Sequence, residues 1–327
     1  MIHPAIDPVI NPALAMLGVV GLFAWMLFRP GSTAPAKIFL LIAAWMAFGP
    51  ISEAIMNAEN AAHPWKLDYH LFLIDKSLGV SAFAIARHFT APQQKVLFVI
   101  YGTLGYWMFA LYGLNLKMKD GRPRELAISY LLSYGLAPIF YLVVPACGPR
   151  HAFGAMFPLG SPEVAAVPIQ LNYWPNAIPS LHLATAVLLV HFAGRNGFWR
   201  TLAWLYLAGT AAATLVLEHY VIDLVVAVPY AYFVICAAER KVAPALGNLV
   251  LVLGWLISIR LATPAIVSHP LLLMVASGLT VLAGAFSMHS FRIGPETGVI
   301  RPPANWIFRR RRLNGTAAIE GESRIAG

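Results

Sequence analysis

A chain of 327 residues that is 59% hydrophobic and only 11% charged, with mean hydropathy +0.69, lies far from the globular average of about a quarter charged residues. That balance excludes a soluble two-domain protein, for which the length alone would leave room, and predicts a single polytopic membrane domain. The formal charge of +9 does not point to nucleic acid, because the basic residues fall in short connecting segments and the C-terminal tail, where they set topology.

Crossing a bilayer takes roughly 20 apolar residues. Nine stretches approach that length, at residues 12–28, 38–56, 96–114, 126–144, 180–194, 201–217, 220–238, 246–262 and 270–287. The expected fold is therefore all-α, a helical bundle of eight or nine transmembrane helices, with the boundary between the nearly continuous sixth and seventh stretches open. The first stretch is expected to be retained, since no basic n-region or small-residue cleavage site accompanies it. In domain terms, 1–57 holds N-terminal transmembrane helices, 58–94 an interfacial segment, 95–240 the core, 241–290 additional helices and 291–327 a basic tail. Aromatic residues Trp65, Tyr69, Phe72, Phe83 and Phe89 alternate with polar ones in the second of these. It reads either as amphipathic helix lying in the interface or as a capping element packed on the bundle. Seven prolines between 145 and 179 argue for an ordered loop without regular structure. The tail, with Pro302-Pro303 and Arg309 to Arg312, reads as a mostly disordered cytoplasmic segment facing anionic lipid.

Orientation follows from the Lys and Arg of the short loops. One face collects 17 of the 23 basic residues, among them Lys117, Lys119, Arg122, Arg124, Arg195, Arg200, Arg240 and Lys241. That face is expected to be cytoplasmic. The 145–179 loop and the starts of the fifth and seventh stretches then share the outer face, which in a bacterial inner membrane is periplasmic.

Those two helix starts carry the chemistry. His219 and Asp223 stand four residues apart, so in a helix their side chains share one face. A carboxylate on one imidazole nitrogen fixes the tautomer and leaves the other free to attack phosphorus. The plain alternative is a pair that satisfies itself near the interface. Pro179-Ser180-Leu181-His182 opens the fifth stretch, with proline near the first turn, Ser180 able to cap it, and anion-binding N–H groups beside His182, a candidate general acid. Arg150, in Cys147-Gly148-Pro149-Arg150-His151, is the lone basic residue of its loop and is a candidate to fork a phosphate or to anchor the loop to headgroups. Asn176, Tyr173, Tyr220 and Glu218 are candidate substrate contacts by adjacency. His151 and His191 read as structural. Cys147 and Cys236 form no disulfide framework, and the histidines lack metal-ligand spacing, so neither metal nor cofactor is expected.

Asn176-Ala177-Ile178-Pro179-Ser180-Leu181-His182 and His219-Tyr220-Val221-Ile222-Asp223 resemble the paired motifs of the type 2 phosphatidic acid phosphatase superfamily. Within it the chain looks most like the inositol phosphorylceramide and sphingomyelin synthase branch, with a fainter match over Tyr69 to Asp75. The resemblance covers about residues 70–240 and implies a six-helix core, His219 as nucleophile, Asp223 as its orienting partner and His182 as proton donor. Three departures stand out. Arg122-Pro123 imitates the phosphatase lysine and arginine-proline motif, but with Lys117 and Lys119 at the wrong spacing and on the inner face. Ala212 and Ala213 stand where the phosphatases carry serine-arginine, and Glu218 where the synthases often have a second histidine. The expected activity is transfer of a phosphoryl group or phospho-headgroup from a membrane lipid through a phosphohistidine to a polyol, sugar or lipid hydroxyl. Water as acceptor gives a lipid phosphate phosphatase, and a transporter or flippase is the reading from another class. Donor, acceptor and oligomeric state are not legible.

Overall fold

The computed structural model describes residues 33–160, 169–194 and 197–289. The expected first span and the basic tail lie outside the described residues, as does the middle of the proline-rich loop. The described chain folds as α1 (Ala34–Ala62), α2 (Asp68–Ser77), α3 (Ala82–Ala86), α4 (Ala91–Lys117), α5 (Pro123–Val143), α6 (Pro149–Phe153), α7 (Leu181–Phe192), α8 (Gly197–Leu217), α9 (Val221–Ala238), α10 (Val242–Val267) and α11 (Pro270–His289). A short antiparallel ribbon joins β1 (Trp65–Lys66) to β2 (Ile169–Gln170), pairing Trp65 with Gln170. Six of these helices, α1, α4, α5, α8, α9 and α10, are long and apolar enough to cross a bilayer, and α7 and α11 are shorter apolar helices. This is an all-α integral membrane protein.

Proline placement explains several helix starts. Pro35, Pro92, Pro123 and Pro149 each sit in a first turn, where the N–H they lack has no helical partner. The sixth and seventh stretches are separate helices, broken at Glu218, His219 and Tyr220. α1 runs six residues past the expected 56, which takes Glu59 into the helix.

At the centre is α7, in contact with α4, α5, α8 and α9, with Leu183 through Phe192 all buried. Its 12 residues rise only about 18 Å, against a hydrocarbon core of about 30 Å. A helix that stops part-way is tolerable only where neighbours satisfy its ends. Asn115 of α4 donates from Nδ2 to the Phe192 carbonyl at 3.0 Å, and Ser180 Oγ accepts from the Leu183 N–H at 3.4 Å. Beside its C-terminus, Glu239 pairs with Arg122, with Lys241 at 2.6 Å and with His191 at 2.9 Å. Burial alone would raise the Glu239 carboxyl, but the bonds from His191 and Lys241 and the charge of Arg122 outweigh it and hold the group at about 2. The basic loops after α4 and α9 thus meet at one end of the bundle, and the motif histidines lie at the other.

α2 is folded onto the bundle, burying Leu71, Phe72 and Ile74 and touching α6, α9 and α10, while Trp65 before it is exposed. The same buried face carries two acids, Asp68 and Asp75.

Candidate active site

α9 begins one residue after His219-Tyr220, and its first N–H groups have no helical acceptor. Asp75 supplies two from another helix: Val221 N donates to its Oδ2 at 2.8 Å and Ile222 N to its Oδ1 at 3.1 Å. Asp223 supplies a third, accepting from Tyr220 N at 2.9 Å through the oxygen that lies 3.2 Å from His219 Nδ1. With Nδ1–H donated to that carboxylate, Nε2 keeps its lone pair. Asp223 is fully buried and His219 nearly so.

The Cys147-Gly148 turn ties the separate stretches together. Leu67 N donates to Pro145 O at 2.8 Å, Ala177 N to Ala146 O at 2.9 Å, and Cys147 N and Gly148 N to Asp68. The Tyr220 hydroxyl donates to the same Asp68 at 2.9 Å. Gly148 has φ +89°, and a Cβ on it would stand 1.9 Å from Glu218 O, so only glycine allows this approach. Burial pushes Asp68 up to about 6, against the opposing pull of these hydrogen bonds, and drives Asp75 well above the ordinary carboxylate range. Both acids escaped the sequence reading. Their signal was two carboxylates seven residues apart on the face that also carries Leu71 and Ile74, a placement that solvated acids avoid.

Through these ties His182 and His219 face one another with ring centroids 6.3 Å apart. Tyr101 of α4 stacks on His182 at 3.6 Å and fixes that ring. Both histidines line a cavity of about 160 Å³, with Tyr101, Tyr134, Tyr141 and Asn176 among its walls. The gap accommodates a tetrahedral phosphorus between an attacking nitrogen and a proton donor, each at about 3 Å.

The remaining candidates divide. Asn176 lines the cavity. Ser180 is buried and caps α7, which leaves its hydroxyl on the helix. Tyr220 is not a cavity contact: it is fully buried with its hydroxyl on Asp68. Arg150 is exposed on α6 and is not among the residues lining the cavity. Glu218 pairs with His151 at 2.6 Å, and His151 stacks on Tyr173 at 3.8 Å. Among the described residues no three His, Cys, Asp or Glu side chains gather as metal ligands.

A family model described as the PAP2 superfamily matches residues 69–237, which runs from within α2 to the end of α9 and includes His182, His219, Asp223 and Asp75. The chain belongs to the PAP2 superfamily. Membership supports phosphatase- or phosphotransferase-type chemistry on lipid phosphates, in the superfamily that its two motifs resemble. No significant match exists among curated proteins or solved structures.

Proposed function

We propose that this PAP2 protein is a lipid phosphotransferase that works through a phosphohistidine on His219. The observation that carries the reading is the opposition of His182 and His219, 6.3 Å apart over one cavity, with Asp223 on the far nitrogen of His219. In the first step the Nε2 lone pair forms a bond to phosphorus, the bond from phosphorus to the leaving oxygen breaks, and His182 gives that oxygen its proton. Asp223 balances the charge that grows on the imidazole. In the second step an acceptor hydroxyl attacks phosphorus, its proton passes to neutral His182, and the nitrogen–phosphorus bond breaks. Water in place of the alcohol gives phosphatase activity through the same intermediate, a reading favoured by the family match itself.

The cavity suits a singly charged phosphodiester. Among the described residues its walls carry hydroxyls, an amide and the two imidazoles, and neither lysine nor arginine. With protonated His182 as the positive charge facing the phosphate, a phosphodiester monoanion is matched one to one, whereas a phosphomonoester dianion is not.

The test is turnover of phospholipid labelled in its phosphate, with and without candidate alcohols. Transfer predicts product that depends on the alcohol; phosphate release indifferent to it would sink the transferase reading. His219→Ala and His182→Ala should each lower turnover by about a thousand-fold with folding intact. Unchanged activity in either removes its assigned role.

A further inference from the structure

The walls around the two motif histidines hold more polar groups than attack and proton transfer use. Tyr134, Pro138 and Tyr141 follow one another at spacings of four and three along α5, and all three line the cavity, so one stripe of that helix faces the imidazoles. Asn176 lines it from the loop ahead of α7. Tyr141 is only 4% exposed, yet its hydroxyl forms no hydrogen bond among the described residues. The side-chain amide of Asn176 forms none there either, while its backbone N–H donates to the Trp174 carbonyl at 3.1 Å. A buried phenol is normally paired, and one left open toward a cavity calls for a specific account. A ligand that accepts its proton supplies one.

Charge decides which atom of the ligand that is. In an in-line transfer the attacking nitrogen of His219 and the leaving oxygen define an axis through phosphorus, with His182 at the leaving end. Negative charge stays on the two non-bridging oxygens, which point away from that axis toward the rest of the wall. Neither lysine nor arginine among the described residues lines it, so stabilisation there falls to uncharged donors. Tyr101 is stacked on His182, and Tyr134 packs on Tyr130 with ring centroids 5.0 Å apart. Tyr141 offers an O–H and Asn176 an N–H₂. In a cavity of about 160 Å³ with phosphorus between the rings, the nearest acceptors are those two oxygens.

We infer that Tyr141 and Asn176 are catalytic residues, each donating a hydrogen bond to one non-bridging oxygen of the reacting phosphate. This rests on the phosphotransfer reading and adds to it the grip on phosphorus. The donors are in place before the charge grows, since Tyr141 is carried by α5 and Asn176 is held by its neighbour, the Ala177 N–H bonded to Ala146 O at 2.9 Å.

Two measurements on the detergent-purified full chain test it. Calorimetry with orthovanadate, a phosphate mimic that needs no turnover, should show binding weakened about ten-fold by Tyr141→Phe and by Asn176→Ala, the worth of one hydrogen bond to a charged acceptor. Tyr141→Phe should melt where the wild type does, because the hydroxyl it removes holds nothing in the described fold, and this keeps the test decisive if the alanine variant misfolds. Turnover of phospholipid with sulfur in place of one non-bridging oxygen then separates contact from general damage, since sulfur accepts hydrogen bonds weakly. Each variant should lower turnover of the natural lipid by about a hundred-fold, yet lower by at most about three-fold that of the one diastereomer whose sulfur already faces the missing donor, with the two variants choosing opposite diastereomers. Unaltered vanadate affinity in either variant, no vanadate binding by the wild type, or equal losses on both diastereomers overturns the inference. Vanadate binding that depends on both residues in a wild type without lipid turnover would sink phosphotransfer and keep the donors. Lipid turnover equal in wild type and variants would do the reverse.

Discussion

Asp68 receives donors from two distant stretches, the Cys147-Gly148 backbone and the Tyr220 hydroxyl, and burial holds its carboxyl at about 6 against an ordinary 3.8. A carboxyl raised by folding stabilises the fold in full below its unfolded value and loses that contribution as pH climbs through the folded one. The window is therefore pH 3.8 to 6, and the shift bounds the effect at about 3 kcal/mol. The thermal midpoint of the wild type minus that of Asp68→Asn should fall as pH rises across this window, measured by intrinsic fluorescence in detergent. A difference that stays flat would contradict the shift. Such residues show where sequence reading stops. His219 and Asp223 were legible because a single helix repeat brings them together, whereas Asp68 and Asp75 act on partners 79 to 152 residues away, and no local spacing encodes that. Tyr220 misled for the same reason: its adjacency to His219 suggested substrate contact, and the side chain turned to a distant carboxylate.

Among the elements, the Cys147-Gly148 turn carries the most geometry for its size. It is bonded to α2 and, through Ala146, to Ala177 just ahead of the proline-serine motif, and it lies close against the break between α8 and α9 at Glu218. Gly148→Ala would press a methyl group into Glu218 O, from a distance of 1.9 Å, and add the strain of a side chain at φ +89°. Because His219 follows Glu218 directly, relief must move the imidazole. A shift of about 1 Å at a reacting centre costs about a hundred-fold in rate, so Gly148→Ala should lower kcat by that order while lowering the thermal midpoint by several degrees. Full activity in this variant would mean that the turn does not set the position of His219. Helix assignments were the easier part of this chain, since apolar length alone reveals a span. The described helices match the expected stretches from the second onward, and α1 runs past the expected 56 because Glu59, placed by the sequence reading in the segment that follows, is buried within the helix.

At the scale of the whole bundle, charged side chains among the described residues sort to its two ends. Arg122, Glu239 and Lys241 meet at one end, and His182, His219 and Arg150 belong to the other; under the positive-inside rule the first end is expected to be the cytoplasmic one. Lys119→Cys and Arg150→Cys place reporters in exposed positions at the two ends, and the native Cys147 and Cys236 are buried and should stay silent. In intact cells an impermeant maleimide should label the cysteine at 150 and reach the one at 119 only after permeabilisation; the opposite pattern would invert the orientation. α7, at about 18 Å, has a further consequence. A helix this short leaves at least one of its ends inside the hydrocarbon layer, and if that end is the one that bears His182, a lipid anchored by its tails would meet the ring pair without surrendering its chains to water.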